Sequence, residues 1–264
     1  MDSRYSGVAW ACSGRPDDIK TVTNWQSYEY MNSDKEKAPT EICYAAEANQ
    51  PTNGNEGESN NVTWGYGIAS GGAVKWFKLL LLDDKDIGEE KHNSVQIRRA
   101  RELLRRAGKT PVQAVADYLL FLWKHAIDSI EQELGESAVE GSPFRVVLTV
   151  PAVWTSKAVR RMRQAAIDAG ILESRLAGET TLHFVSEPEA AALATFEDMK
   201  SRPNFQVVPR ILNISIVPNR RFRRAILSSC VMREEELLYV ALAKHLILLL
   251  RTALTHKHVG FDQL

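Results

Sequence analysis

The sequence predicts an α/β fold, a sheet flanked by helices with a helical tail behind it, and three observations carry that prediction. Phe144 to Val150 is a near-continuous apolar run, as expected of a strand covered on both faces. Ser156 to Ala169 follows as a basic amphipathic helix closed by Gly170, and Leu182 to Val185 then reads as a second short buried strand. Pro188 opens another helix running to about Lys200, so strand and helix alternate twice, which favours layers over a helical bundle.

From the N-terminus, Tyr5 to Ala11 (YSGVAWA) is a β-prone run rich in aromatic and small residues. Ser13 to Asp18 has turn chemistry, and Thr21 to Tyr28 alternates well enough to be a partner strand in a hairpin. Ala38 to Tyr44 predicts a third strand, and Glu47 to Asn61, polar and rich in Gly and Asn, predicts an exposed loop. Val62 to Ile68 is strand-like. Gly71-Gly72 then leads into Lys75, Trp76, Phe77 and Lys78. Asp83 to Lys109 is charged throughout and helical in part. Thr110 to Leu134 is a long helix whose apolar face is expected to comprise Val112, Val115, Ala116, Leu119, Leu120, Trp123, Ile127 and Ile130. Thr110 suits the N-cap, Pro111 the first helical position and Gly135 the stop. Glu234 to Thr255 predicts a tail helix, apolar nearly all round.

Composition excludes more than it suggests. The 264 residues carry 33 basic and 33 acidic side chains, so no global charge points to nucleic acid or to a membrane. The balance hides a shift: residues 209–264 hold nine Lys/Arg against four Asp/Glu, a net of +5, leaving −5 for the rest. A change of segment near 208 is therefore expected. Cys12, Cys43 and Cys230 lie far apart, neither a metal spacing nor a disulfide framework. The six histidines show no ligand spacing, so no metal site is expected of them. The opening residues lack a basic start and a long apolar run, and the uncharged stretch His245 to Leu250 is too short for a bilayer, so a cytoplasmic protein without a transmembrane segment is expected.

Three strings resemble the nucleotide-binding domain of the seventy-kilodalton heat-shock chaperones, in the actin-like ATPase superfamily, and most closely its divergent eukaryotic branch. VVLTVPAVW (Val146–Trp154) resembles the family's strand ending in Val-Pro-Ala and an aromatic. RQAAIDAG (Arg163–Gly170) resembles its Arg-Gln-Ala-x-x-Asp-Ala-Gly, and SEPEAAALA (Ser186–Ala194) its Asn-Glu-Pro-x-Ala-Ala-Ala. YSGVAWA also looks like the strand after its first phosphate loop. The resemblance runs to about Val208 and implies the first lobe of a two-lobed ATPase, ribonuclease H-like, with a mixed sheet. It implies ATP or ADP with Mg²⁺, and potassium near the phosphates. Glu187 would be the catalytic carboxylate that positions water. Pro151 and Arg163 would relay nucleotide state toward a substrate domain, and Lys75, or alternatively Lys78, would face phosphate. Protein clients or co-chaperones are the implied partners, with ATP hydrolysis coupled to client binding.

Two departures qualify those expectations. The family's Asp-x-Gly-Thr-Thr loop is degenerate: Ser3 and Arg4 stand where its threonines would be, and with Tyr5 next they are the residues the resemblance places at the nucleotide. After Val207 the family's Asp-x-Gly-Gly-Gly-Thr loop is replaced by VPRILNISIVPNRRFRRAILSSC, with no glycine until Gly260. The expectation is a truncated or misspliced lobe, residues 1–208, with an unmatched basic and apolar tail, residues 209–264, and impaired or no ATPase activity. A rival expectation is a non-catalytic module engaging a protein or a membrane surface through the lobe, the tail helix or the Arg220–Arg224 cluster. A sugar or acetate kinase of the same superfamily is disfavoured, because it too needs both glycine loops.

Overall fold

The computed structural model describes residues 4–15, 18–27, 35–44, 62–69, 71–88, 92–192 and 238–242. In chain order the strands are β1 (Tyr5–Ser6), β2 (Val8–Cys12), β3 (Lys20–Thr21), β4 (Ala38–Pro39), β5 (Glu41–Tyr44), β6 (Val62–Trp64), β7 (Val74–Lys75), β8 (Phe144–Val150), β9 (Thr181–Ser186) and β10 (Leu238–Leu242). The helices are α1 (Val95–Arg106), α2 (Pro111–Leu134), α3 (Glu136–Glu140) and α4 (Ser156–Asp168), with a further helix over 187–192. The chain divides into a helical unit (Met1–Gly7, Val22–Val139, Val153–Ser174) and a sheet unit (Val8–Thr21, Glu140–Ala152, Arg175 onward).

The helical unit is organised around α2. Thr110 accepts from the Gln113 backbone N–H at 3.2 Å while Gln113 Oε1 accepts from the Thr110 N–H at 2.9 Å, a reciprocal cap that fixes the first turn with Pro111 inside it. Gly135, at φ 89°, ends the helix where a side chain would be strained. The buried face comprises Ala114, Val115, Ala116, Tyr118, Leu119, Leu122, Trp123, Ala126 and Ile130. It is rotated from the expected one: Leu120 is 44% exposed, while Tyr118, Leu122 and Ala126 point inward. Aromatic partners set that rotation. Tyr118 meets Trp64 and Phe77 with centroids 5.8 Å away in both cases, and Trp64 stacks on Phe121 at 6.2 Å. Trp25, 1% exposed, lies 4.6 Å from the His125 ring and donates its indole N–H to the Lys35 carbonyl at 2.8 Å. His125 Nε2 donates to the Thr23 carbonyl at 2.9 Å.

Around this cluster α4 packs along α2, and α1 lies against β7 and the 3-10 turn Phe77–Leu81. Ser94 caps α1 by accepting from the Ile97 N–H at 3.3 Å. Its buried positions, Ile97, Ala100, Leu103 and Leu104, keep the three- and four-residue spacing of an amphipathic helix. On the wet side Glu102 takes hydrogen bonds from Arg105 and Arg106, which hold its carboxyl down to about 2. Two small sheets complete the unit, β1 with β4 and β6-β5-β7, all pairs antiparallel.

The sheet unit is one mixed sheet in the order β3-β2-β10-β8-β9. β2 runs antiparallel to β3 and to β10, and β8 runs parallel to β10 and to β9. The hairpin β2–β3 is the expected one, its turn pinned by the Arg15 N–H on the Cys12 carbonyl at 3.0 Å. β8 is buried at six of its seven positions, as a near-continuous apolar strand should be.

Several expectations are corrected. Tyr5 to Ala11 is two strands in different sheets rather than one, because Gly7 interrupts the pairing. The partner strand from Thr21 shrinks to Lys20–Thr21, and Val62 to Ile68 is a strand only as far as Trp64 before a 3-10 turn at Gly65–Gly67. The tail helix expected over Glu234–Thr255 is a strand at Leu238–Leu242, because ladders on both sides satisfy its backbone in place of helical bonds. The loop expected at Glu47 to Asn61, the segment boundary at 208 and the rest of the tail lie outside the described residues, as does Ser3. Among the described residues no helix is long and apolar enough to cross a membrane.

Candidate functional site

In the sheet unit the register of β8 and β9 places two of the predicted residues side by side. Val150 stands opposite Ser186, so Pro151 and Glu187 leave neighbouring parallel strands at the same carboxyl edge. Ser186 Oγ accepts from the Glu189 N–H at 3.3 Å and caps the helix over 187–192. Glu187 therefore sits half-buried in the first turn, where the helix dipole favours a carboxylate, while Pro151 is buried. Carboxyl ends of parallel strands are where open α/β sheets hold ligands.

The other predicted residues belong to the helical unit. Lys75, on β7, is exposed, and β5 brings Glu41 opposite it, with Nζ 2.8 Å from the Glu41 carboxylate. That lysine already has an anion. Lys78 lies half-buried on the 3-10 turn, its Nζ 5.7 Å from the centre of the Trp154 ring. Trp154 is 9% exposed, and its buried indole N–H has no hydrogen-bond partner among the described residues. A buried orphan donor is costly, and one beside a cation suits an anion. Trp76, between the two lysines, takes a left-handed φ of 64°, an uncommon conformation for so bulky a residue.

Arg4 and Tyr5 hold the start of the unit together. The Arg4 carbonyl accepts from the Thr40 N–H at 2.8 Å, and Tyr5, 48% exposed, pairs with Pro39 across β1 and β4. Arg163 is exposed on α4. Its neighbour Arg161 is the structural surprise: Nη1 donates to the Leu81 carbonyl at 2.7 Å and Nη2 to Asp83 at 2.8 Å. Lys157, one turn earlier, donates to the same Asp83 carboxylate at 2.8 Å. The hydrogen bonds from Lys157 and then Arg161 lower the Asp83 pKa. The i, i+4 pair of cations on α4 was the sequence signal for this clamp.

A cavity of about 510 Å³ also opens in the helical unit, lined among others by Glu41, Gly71, Lys75, Trp76 and Arg99. Among the described residues no three His, Cys, Asp or Glu side chains converge as a metal site. Magnesium bound with a nucleotide does not need such a cage, since one or two carboxylates and the phosphates hold it with water. Glu187 supplies one such carboxylate at the carboxyl edge of the sheet unit.

The architecture is mixed α/β and compatible with an actin-like fold. No family model matches the chain. Over 104 residues, 39% of the chain and 15% of the relative, it is 33% identical to human Heat shock 70 kDa protein 12B. Over 190 residues, 71% of the chain and 26% of the relative, it is 25% identical to human Heat shock 70 kDa protein 12A. The chain thus spans about a quarter or less of the length of these curated relatives, and its similarity to proteins of the seventy-kilodalton heat-shock family is distant.

Proposed function

We propose that this chain is a nucleotide-binding lobe of the heat-shock-chaperone type, carrying Glu187 as its water-positioning carboxylate. The observation that carries the proposal is the register that sets Pro151 and Glu187 at adjacent ends of two parallel strands, with Glu187 opening a helix. The distant similarity to the two heat-shock proteins supports the same reading. Bound magnesium nucleotide would supply the phosphoryl group and the charge that phosphoryl transfer needs neutralised. The chain's own contributions are separate. Glu187 accepts a hydrogen bond from water and orients it, its charge favoured by the helix N-terminus. Within the helical unit Lys78 lies beside the Trp154 ring and is one of the two lysines the resemblance offers to phosphate. Lys75, whose Nζ donates to Glu41 at 2.8 Å, is the other.

Neither glycine-rich phosphate loop of the family pattern occurs in the 264 residues. Backbone N–H cradles of that kind carry much of the grip on phosphate. Nucleotide binding is accordingly weak and turnover slow or absent in this chain, and the coupling of ATP hydrolysis to a protein client belongs to the family by resemblance.

Calorimetry with ATP or ADP and Mg²⁺ tests the proposal. Lys75→Ala and Lys78→Ala compare the two lysines the resemblance offers: loss of the one that faces phosphate is expected to weaken binding by about tenfold or more, the cost of a charge-assisted hydrogen bond. Glu187→Ala should retain binding and lose whatever turnover exists. A folded wild-type chain that takes up no nucleotide overturns the proposal and favours the non-catalytic interaction module.

A further inference from the structure

The centre of the five-stranded sheet is filled from far away in sequence. Leu238 lies opposite Cys12 on β2 and opposite Phe144 on β8, and Leu242 opposite Val8 and Leu148. Leu238 is 226 positions beyond Cys12. Take β10 away, and β2 keeps only the two pairs it makes with β3, while β8 keeps only β9. With β10 in place Val8 to Ala11 of β2 and six residues of β8 are buried, and without it the backbone groups facing the gap would have no strand partner. The gap is therefore a slot for one extended segment. Its direction is fixed, because the occupant must run antiparallel to β2 and parallel to β8.

The segment that fills it is bounded as a unit. LYVAL contains no charge, glycine or proline, and it lies between Glu234-Glu235-Glu236 and Lys244. Flanking charges of this kind confine a β-pairing segment to its intended length.

We propose that the sheet unit is completed by β-augmentation in cis. Residues 238–242 act as a separable donor strand, and the slot between β2 and β8 is a peptide-binding site that takes this same segment when it is supplied in trans. Main-chain ladders on both sides supply the affinity, and direction and register supply the selectivity. The native strand wins in the intact chain because its tether keeps its local concentration high. Running parallel to β8, β10 also ends toward the edge that carries Pro151 and Glu187, so loss of the strand would loosen that edge. The proposal stands on backbone pairing alone and does not depend on nucleotide binding.

Two experiments on the full chain test it. Leu238→Cys, with Cys43→Ser and Cys230→Ser, should oxidise to a disulfide with Cys12, because cross-strand Cα separations of about 4.5–5.5 Å suit that bond. Peptide mapping by mass spectrometry identifies the 12–238 link, and its absence from the folded variant overturns the proposal. In the second, Val240→Pro vacates the slot, since proline cannot donate within a central strand. A biotinylated peptide spanning residues 235–244 should then be retained at least about tenfold more by the variant than by wild type, and a Val240→Pro version of the peptide should not be retained. Equal retention of both peptides overturns the trans site. If Val240→Pro does not fold, the disulfide still decides whether the slot holds this segment.

Discussion

The helical unit and the sheet unit are held together by different means. In the helical unit side chains carry the cohesion: Trp25, Trp64, Phe77, Tyr118, Phe121 and His125 interlock, and their polar atoms reach backbone carbonyls at Lys35, Thr23 and Pro39. In the sheet unit the backbone carries it, through a central strand that arrives from beyond residue 237. A side-chain cluster distributes its stabilisation over many contacts, and losing one leaves a cavity. A central strand concentrates it in one segment, whose loss unpairs two buried neighbours at once. The first unit should therefore respond to mutation in graded steps, and the second in one.

The largest graded step is expected at Trp25. Truncation to alanine removes a ring that is 1% exposed and leaves the Lys35 carbonyl without its donor. A loss of about 3–5 kcal/mol is expected in denaturant unfolding, the usual range for a buried Trp or Phe. Amide exchange in β8 and β9 should change less than in α2. Equal loss of protection in both sets would break the distinction between the units.

A smaller step is expected at the start of α2. Thr110→Ala removes one half of a reciprocal cap and should cost about 1 kcal/mol. Thr110→Ser should recover most of it, because the hydroxyl and its geometry are kept. Urea titration of the three proteins makes the check. An alanine variant as stable as wild type would mean that packing of α2 against α4 fixes the helix end without the cap.

The same division explains what the sequence made legible. α2 begins and ends where Thr110-Pro111 and Gly135 indicate, and β8 matches its apolar run residue for residue, because caps and burial patterns are written locally. The rotation of the α2 face was not legible, since Tyr118 looks amphipathic until Trp64 and Phe77 are placed against it. β10 was not legible either. Its apolar residues suit a helix equally well, and the slot that selects a strand is built from β2, more than two hundred positions earlier, and β8, about ninety positions earlier. At the candidate site the strands leading to Pro151 and Glu187 were legible, but their side-by-side register was not. The pairing of Lys75 with Glu41 was not legible either, because it depends on the β5–β7 register.

The smallest expected effect concerns the Asp83 clamp, and its sign follows from the direction of the shift. Lys157 and Arg161 hold the Asp83 carboxyl below its ordinary value near 3.8. A carboxylate with a depressed folded-state pKa contributes stability that is fully present above the unfolded value and is lost as pH falls through the folded one. Below about pH 4 the helical unit should thus lose a contribution that Asp83→Asn lacks at every pH, so the stabilities of wild type and variant should converge on acidification. The difference should also shrink with added salt, because Lys157 is exposed and Asp83 and Arg161 are only half-buried. Convergence would assign Asp83 the task of tying α4 to the turn that presents Lys78, a link within the helical unit made by charge rather than by ring packing. A constant gap between the two proteins across the acid range would mean that the carboxamide disturbs the Leu81–Asp83 turn itself, and that the fold there depends on shape more than on the ion pairs.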